Sequence, residues 1–235
     1  PVMIATLQDV EKRNLSLDTL LEVNHKFTLE PFDYISMLPN GSLISVRDLL
    51  HYMIVQSDNE ATNMLANTIS IDKINDSIRE LGLKRTMLGH LLCYNAPRYS
   101  SDFNRDGSNV TCPKDMVNLM RHIYDAGFSK LSPEVRNMAD AIMSSTSSAY
   151  LKQRDFAGKR IKSKIGYISD SKSGTDAHEV GIIDDDLILC IMLNKINPHS
   201  RQWKNFLNKI FLRPNTFGSI YLTYNKLIST IAKYV

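Results

Sequence analysis

Ser57-Asp58-Asn59 sets a hydroxyl, a carboxylate and an amide on three consecutive residues, at a junction between two helical patterns. Each can cap a helix, because its oxygen accepts from backbone N–H groups that a first helical turn leaves unpaired. An isolated tripeptide of this kind reads as a cap, so its surroundings decide whether it does more. The other chemistry-bearing residues are sparser. The six His residues contain no pair at i, i+4 spacing, and His178, near a strand start, reads as a core or surface imidazole. Cys93, Cys112 and Cys190 lack metal-ligand spacing, and Cys190 reads as a small core residue in an apolar run. No metal is expected. Neither Gly-rich phosphate motif is present, and no cofactor is expected. Asp102 and Asp106, beside Asn104 and Gly107, read as turn formers.

Something must hold Ser57-Asp58-Asn59 in place, and the pattern around it is helical. Val2, Met3, Leu7 and Val10 recur at helical spacing in residues 2–12. After the turn signal Asn40-Gly41, Ser45 with Asp48 reads as an N-terminal cap for a stripe of Leu49, Leu50, Met53 and Ile54. A second pattern begins at Glu60, Ser70 caps a third that Gly82 ends, and Pro113–Tyr124 and Pro133–Met143 follow. Residues 84–112 are aperiodic and rich in Asn, Ser, Asp, Gly and Pro, which makes them a long loop of the kind that is often functional. Beyond residue 150 the texture alternates: Arg160–Ile168, Glu179–Asp184 and Leu187–Leu193 read as strands. Residues 170–177 read as an enlarged hairpin connection, and Ile220, Leu222, Leu227, Ile228 and Ile231 as a terminal helix. The fold class is α+β: a mostly helical region over residues 1–148, then antiparallel strands with a C-terminal helix packed on them over residues 149–235.

Composition narrows the function classes. A 235-residue chain with 43% hydrophobic and 23% charged residues can bury a sizeable core. A net charge of +3, with Lys and Arg scattered rather than striped, argues against nucleic acid as a partner. No apolar run reaches the roughly 20 residues of a membrane span, so no transmembrane segment is expected in this chain. Pro1-Val-Met-Ile opens in mid-pattern, without a starting Met or a charged leader.

The residues from Leu43 to Leu65, with Ser57-Asp58-Asn59 among them, closely resemble the class A β-lactamase and penicillin-binding serine hydrolase family. The resemblance runs almost end to end. Asn14–Asp18 resembles the segment after that family's central helix, and Leu38–Ser42 the turn ahead of its S-D-N helix. Glu80–Thr86 and Asn109–Asp115 resemble the entry and exit of its active-site loop. The resemblance implies a β-lactamase/transpeptidase-like fold and an exported protein acting on a β-lactam or a peptidoglycan-derived peptide. It gives the hydroxyl of Ser57 a place in a proton relay, and the amide of Asn59 a hold on the substrate amide and a catalytic lysine.

The family's third motif is a strand bearing Lys-Thr/Ser-Gly that faces the nucleophile. Lys164-Ile165-Gly166 stands at the implied spacing, and Lys172-Ser173-Gly174-Thr175 matches the letters better but comes late. Spacing favours Lys164 as catalytic, with Gly166 and Ile165 lining the substrate, and leaves Lys172 or Ser173 to contribute from the hairpin. Ile165 replaces a hydroxyl that would bond the substrate carboxylate, an interaction worth about 1–3 kcal/mol. Two family parts have no counterpart here. The nucleophilic serine of S-x-x-K is expected just ahead of Pro1, so a segment or partner covering that face is expected too. Ser70–Lys73 and Ser169–Lys172 fit the letters by chance. The loop glutamate that activates water is also absent, since no Glu lies between Leu81 and Pro133, and slow deacylation follows.

Overall fold

The computed structural model describes residues 1–25, 33–92, 107–146, 158–170, 174–196, 220–225 and 228–233. Helix α1 (Val2–Glu11) buries six consecutive residues, Val2 to Leu7. A helix covered on all sides sits inside a bundle rather than on its surface. Thr6 is accommodated there because its hydroxyl donates to Val2 O at 2.9 Å. Around α1 pack α3 (Asn59–Ile69), α4 (Ile71–Glu80) and α6 (Pro133–Met143). A ribbon of β1 (Leu20–Glu22) and β2 (Leu43–Ser45) leads into α2 (Val46–His51).

The expected caps are in place: Ser45 accepts from Asp48 N and Ser70 from Lys73 N. Ser132, a cap not expected from the sequence, accepts from Val135 N. Both α5 (Pro113–Tyr124) and α6 begin with proline, whose missing N–H costs nothing in a first turn. Gly82 ends α4 with φ +75°. The helical spans expected at Pro113–Tyr124 and Pro133–Met143 match the observed ones.

One sheet follows, ordered β3 (Ile161–Asp170), β4 (Gly174–Ile183), β5 (Leu187–Ile196), β6 (Ile220–Asn225) and β7 (Ile228–Lys233). β3 is an edge strand. Neighbours are antiparallel except β5 and β6, which run parallel. The α+β class is as expected, with two local corrections. The C-terminal segment forms strands β6 and β7, not a helix. Ile220-Tyr-Leu-Thr-Tyr224 and Ile228-Ser-Thr-Ile231 are rich in β-branched and aromatic residues, and their apolar positions are too few to distinguish the two periods. The 170–177 connection is also shorter than expected. The strands pair as far as Asp170 opposite Gly174, and a bulge between Thr175 and Ala177 absorbs the extra residue against β5.

Helix α5 lies on β4 and β5. Ile182, Ile188, Cys190 and Met192 from the sheet join the helical residues in a single apolar cluster. That packing fixes the position of β3 relative to the start of α3.

Candidate active site

The junction ahead of α3 is wound unusually. α2 passes into a π-helical turn, Tyr52–Gln56, which ends at Ser57 with φ 60° and ψ 31°. Wide turns of this kind recur at functional sites. A left-handed serine costs about 1 kcal/mol relative to glycine. Asp58 N closes the turn on Tyr52 O at 3.2 Å. The consequence is that neighbouring side chains diverge: Ser57 is exposed, whereas Asp58 is 1% exposed.

Asp58 is the cap that the sequence suggests, and more. One carboxylate oxygen accepts from Ala61 N at 2.7 Å, and the other from Ile35 N at 3.0 Å. Asp33, which the sequence reading missed, accepts from Asn59 N at 3.1 Å and Glu60 N at 3.2 Å. Three successive donors of the α3 N-terminus therefore end on carboxylates, where the helix dipole favours negative charge. The half-buried Asn59 uses its backbone in this way, and its side-chain amide has no hydrogen bond among the described residues.

Across from the junction stands Lys164 of β3. Its ammonium donates to Ser57 Oγ at 2.6 Å and to Ile165 O at 2.8 Å. Burial pulls the Lys164 pKa down to about 8. A lysine in that range can give or take a proton near neutrality, and Ser57 is in hydrogen-bond contact with it. Gly166 lies opposite His178 on β4, and Ile165 opposite Glu179. Lys172 and Ser173 lie outside the described residues, as do Asp102 and Asp106. The structure thus brings Ser57 and Lys164 together from 107 positions apart and keeps Gly166 beside them on β3.

Ser70 and Lys73 do not form a competing pair. Ser70 Oγ accepts from Lys73 N at 3.3 Å as a cap, and the Lys73 ammonium lies 3.5 Å from Asp9.

The loop over residues 84–112 is closed at its neck by amides that the sequence reading missed. Asn63 Nδ2 donates to Leu92 O at 2.8 Å, and Leu92 N donates back to Asn63 Oδ1 at 2.7 Å. Asn75 holds Leu88 in the same two-way fashion, and Asn109 Oδ1 accepts from Gly89 N and His90 N. Met87 and Val110 bridge the two arms, and the buried Asp115 accepts from Arg85 N and from the Thr86 hydroxyl. One available signal was spacing: Asn63 is four residues after Asn59, one turn along the same helix face. Among the described residues of the loop, 84–92 and 107–112, there is no carboxylate.

Among the described residues, no group of three or more His, Cys, Asp or Glu side chains is arranged to hold a metal ion, and no helix is long and apolar enough to cross a membrane.

Comparison with known proteins bears on the family and the fold. The family model described as "Beta-lactamase enzyme family" matches residues 1–210. A β-lactamase of Phocaeicola vulgatus is 32% identical over 128 residues, covering 53% of this chain and 39% of its own length. The solved β-lactamase from Sphaerobacter thermophilus superposes with a TM-score of 0.64 at 22% identity, over 78% of this chain and 66% of that one. A PBP-A variant solved as an acyl-enzyme complex with penicillin G gives 0.61 at 22% identity, over 78% and 64%. The chain therefore spans about two fifths of the curated relative and somewhat under two thirds of these solved structures.

Proposed function

The chain belongs to the β-lactamase enzyme family, and from that premise we propose that it carries the proton-relay and ligand-holding parts of a serine acyl-transfer site for β-lactams or D-alanyl peptides. The observation that carries the reading is the 2.6 Å hydrogen bond between Lys164 Nζ and Ser57 Oγ. A buried lysine with its pKa near 8 can pass a proton through the Ser57 hydroxyl to the leaving nitrogen of an opening lactam. In the same reading Asn59 offers its amide to the substrate amide, and Lys164 with Gly166 faces the substrate carboxylate. Lys172 or Ser173 would assist from the β3–β4 connection. The proposed division at residue 148 puts the S-D-N junction in one region and Lys164 in the other, so that the cleft is their boundary. The acylated serine belongs to an S-x-x-K element, which Ser70 and Lys73 do not supply. Export is part of the same reading, because β-lactams and peptidoglycan peptides are met outside the cytoplasm.

Deacylation in this site is slow. No glutamate stands in residues 82–132 to activate water. Fluorescent penicillin labelling of the protein carrying an S-x-x-K element tests the proposal: a covalent label should form and persist. Failure to label would remove acyl transfer.

Ile165 supports a second reading, a β-lactamase-like domain that binds a ligand without turning it over, because the strand lacks the hydroxyl that would hold a carboxylate. Calorimetry beside a cephalosporin hydrolysis assay separates the two. Binding without label or turnover favours the second reading, and rapid steady-state hydrolysis excludes it.

A further inference from the structure

Lys164 has a neighbour whose chemistry the family reading leaves unused. In the β3–β4 register Lys164 pairs with Val180 and Gly166 with His178. Residues directly opposite one another share a face, as do alternate residues along a strand. Lys164, Gly166, Val180 and His178 therefore occupy one face of the sheet, the face on which Val180 packs against the core. Diagonal cross-strand neighbours such as Lys164 and His178 lie about 7–8 Å apart, within reach of long side chains. Gly166 has no side chain of its own, and the imidazole covers it: a Cβ built there would sit 3.8 Å from both Cβ and Cδ2 of His178. His178 is half-buried, and Ile165, paired with Glu179, turns to the other face, so that the imidazole is the polar side chain next to Lys164 across Gly166.

We propose that His178 is a specificity-determining residue that contacts the ligand, its imidazole N–H donating to the anionic group that Lys164 faces. The inference rests on Lys164 facing the ligand, as set out above. Two donors of different kinds would then read one carboxylate: a buried ammonium anchored on Ser57, and an imidazole seated over Gly166. Among the described residues, the elements packed around the ring carry the following charged and titratable groups. Asp176 on its own strand draws the proton on and Lys164 stands on β3, while Met192, opposite on β5, carries no charge. Helix α5 packs on β4 and β5. Its Asp115, Arg121 and His122 are engaged at the loop neck, with Asp125 and with Leu81 respectively, and its first turn also carries Lys114. Burial, the largest influence, holds the imidazole below its usual value, so the ring meets a ligand neutral at pH 7 and gains a proton more readily once an anion is beside it.

The test is a titration of the 235-residue chain with benzylpenicillin, following the imidazole C–H signals by NMR, with His178 assigned by loss of its signal in His178→Asn. The ring signals of His178 should move and their titration midpoint should rise. His178→Ala should weaken binding about tenfold, the effect of one lost hydrogen bond to a charged group, and His178→Asn, which keeps an N–H donor, should restore most of it. If Lys164→Met abolishes binding while His178→Ala binds normally and the ring signals stay still, this inference falls and the reading of Lys164 stands. If the unsubstituted chain shows no benzylpenicillin binding, both fall. Should His178→Ala fail to fold, the ring titration of the unsubstituted chain decides alone.

Discussion

The two walls of the cleft are built in opposite ways. On the helical side, backbone donors at Ile35, Asn59, Glu60 and Ala61 converge on two carboxylates, Asp33 and Asp58, and the loop neck is locked by three asparagines. On the sheet side, Lys164 sits on a strand that is paired along one side only among the described residues. Among the described residues, its one hydrogen bond to the helical side is to Ser57. One wall is over-determined and the other is tied by one side chain. The difference suggests where rigidity resides: the helical wall positions the hydroxyl and the amide, and the β3 wall can adjust to what lies between them.

The largest test of that contrast is Asp58→Ala. It strands buried N–H groups at Ile35 and Ala61, and about 2–4 kcal/mol of stability should be lost, measured by urea unfolding. A loss below about 0.5 kcal/mol, within the range of ordinary surface substitutions, would show that the helical wall is not over-determined. Next is Gly89→Ala. A Cβ there would lie 2.0 Å from Gly107 O, which is backbone and cannot swing aside. Opening the neck should cost about 1–3 kcal/mol and increase amide exchange at Met87 and Val110. Unchanged exchange would mean that the two arms are not fastened to each other.

Lys164→Met probes the sheet wall. Folding lowers the Lys164 pKa from 10.5 to about 8, so across that window the unfolded chain binds more protons than the folded one. The burden of a buried ammonium is full below pH 8 and is relieved as pH rises towards 10.5. Stability of the unsubstituted chain should therefore increase from pH 7.5 to 9.5, relative to Lys164→Met, by about 1–2 kcal/mol. Parallel pH profiles would show that Lys164 is solvated. The smallest effect is expected at Ile165→Thr, which restores a hydroxyl on β3. It should strengthen benzylpenicillin binding by about 1 kcal/mol and change stability by less than that, as an isothermal titration and a melt would report. Weaker binding would place the carboxylate elsewhere.

How much of this was legible in the sequence follows from the range of each interaction. The caps at Ser45 and Ser70 and the proline starts of α5 and α6 are local, and local rules recover them. The strands at residues 220–233 were misread because a short apolar run with Ile, Leu, Tyr and Thr satisfies helical and strand spacing alike, and the sheet decides. The family resemblance and its spacing pointed to Lys164 as the partner of Ser57, a contact across 107 residues that no local pattern could have indicated. Asp33, Asn63 and Asn75 were missed for one reason. Each bonds a backbone group far along the chain, and an amide or carboxylate that will do so looks in sequence like any surface residue.

The left-handed backbone of Ser57 has a consequence for how this protein would change under selection. Glycine at that position relieves the conformational penalty and removes the hydroxyl in the same step. A screen that rewards only thermal stability should therefore recover glycine at residue 57, whereas a screen that rewards ligand turnover should reject it. The two selections diverge at one codon, and which variant survives in each would show, without any kinetic assay, whether the hydroxyl is kept for chemistry or merely inherited.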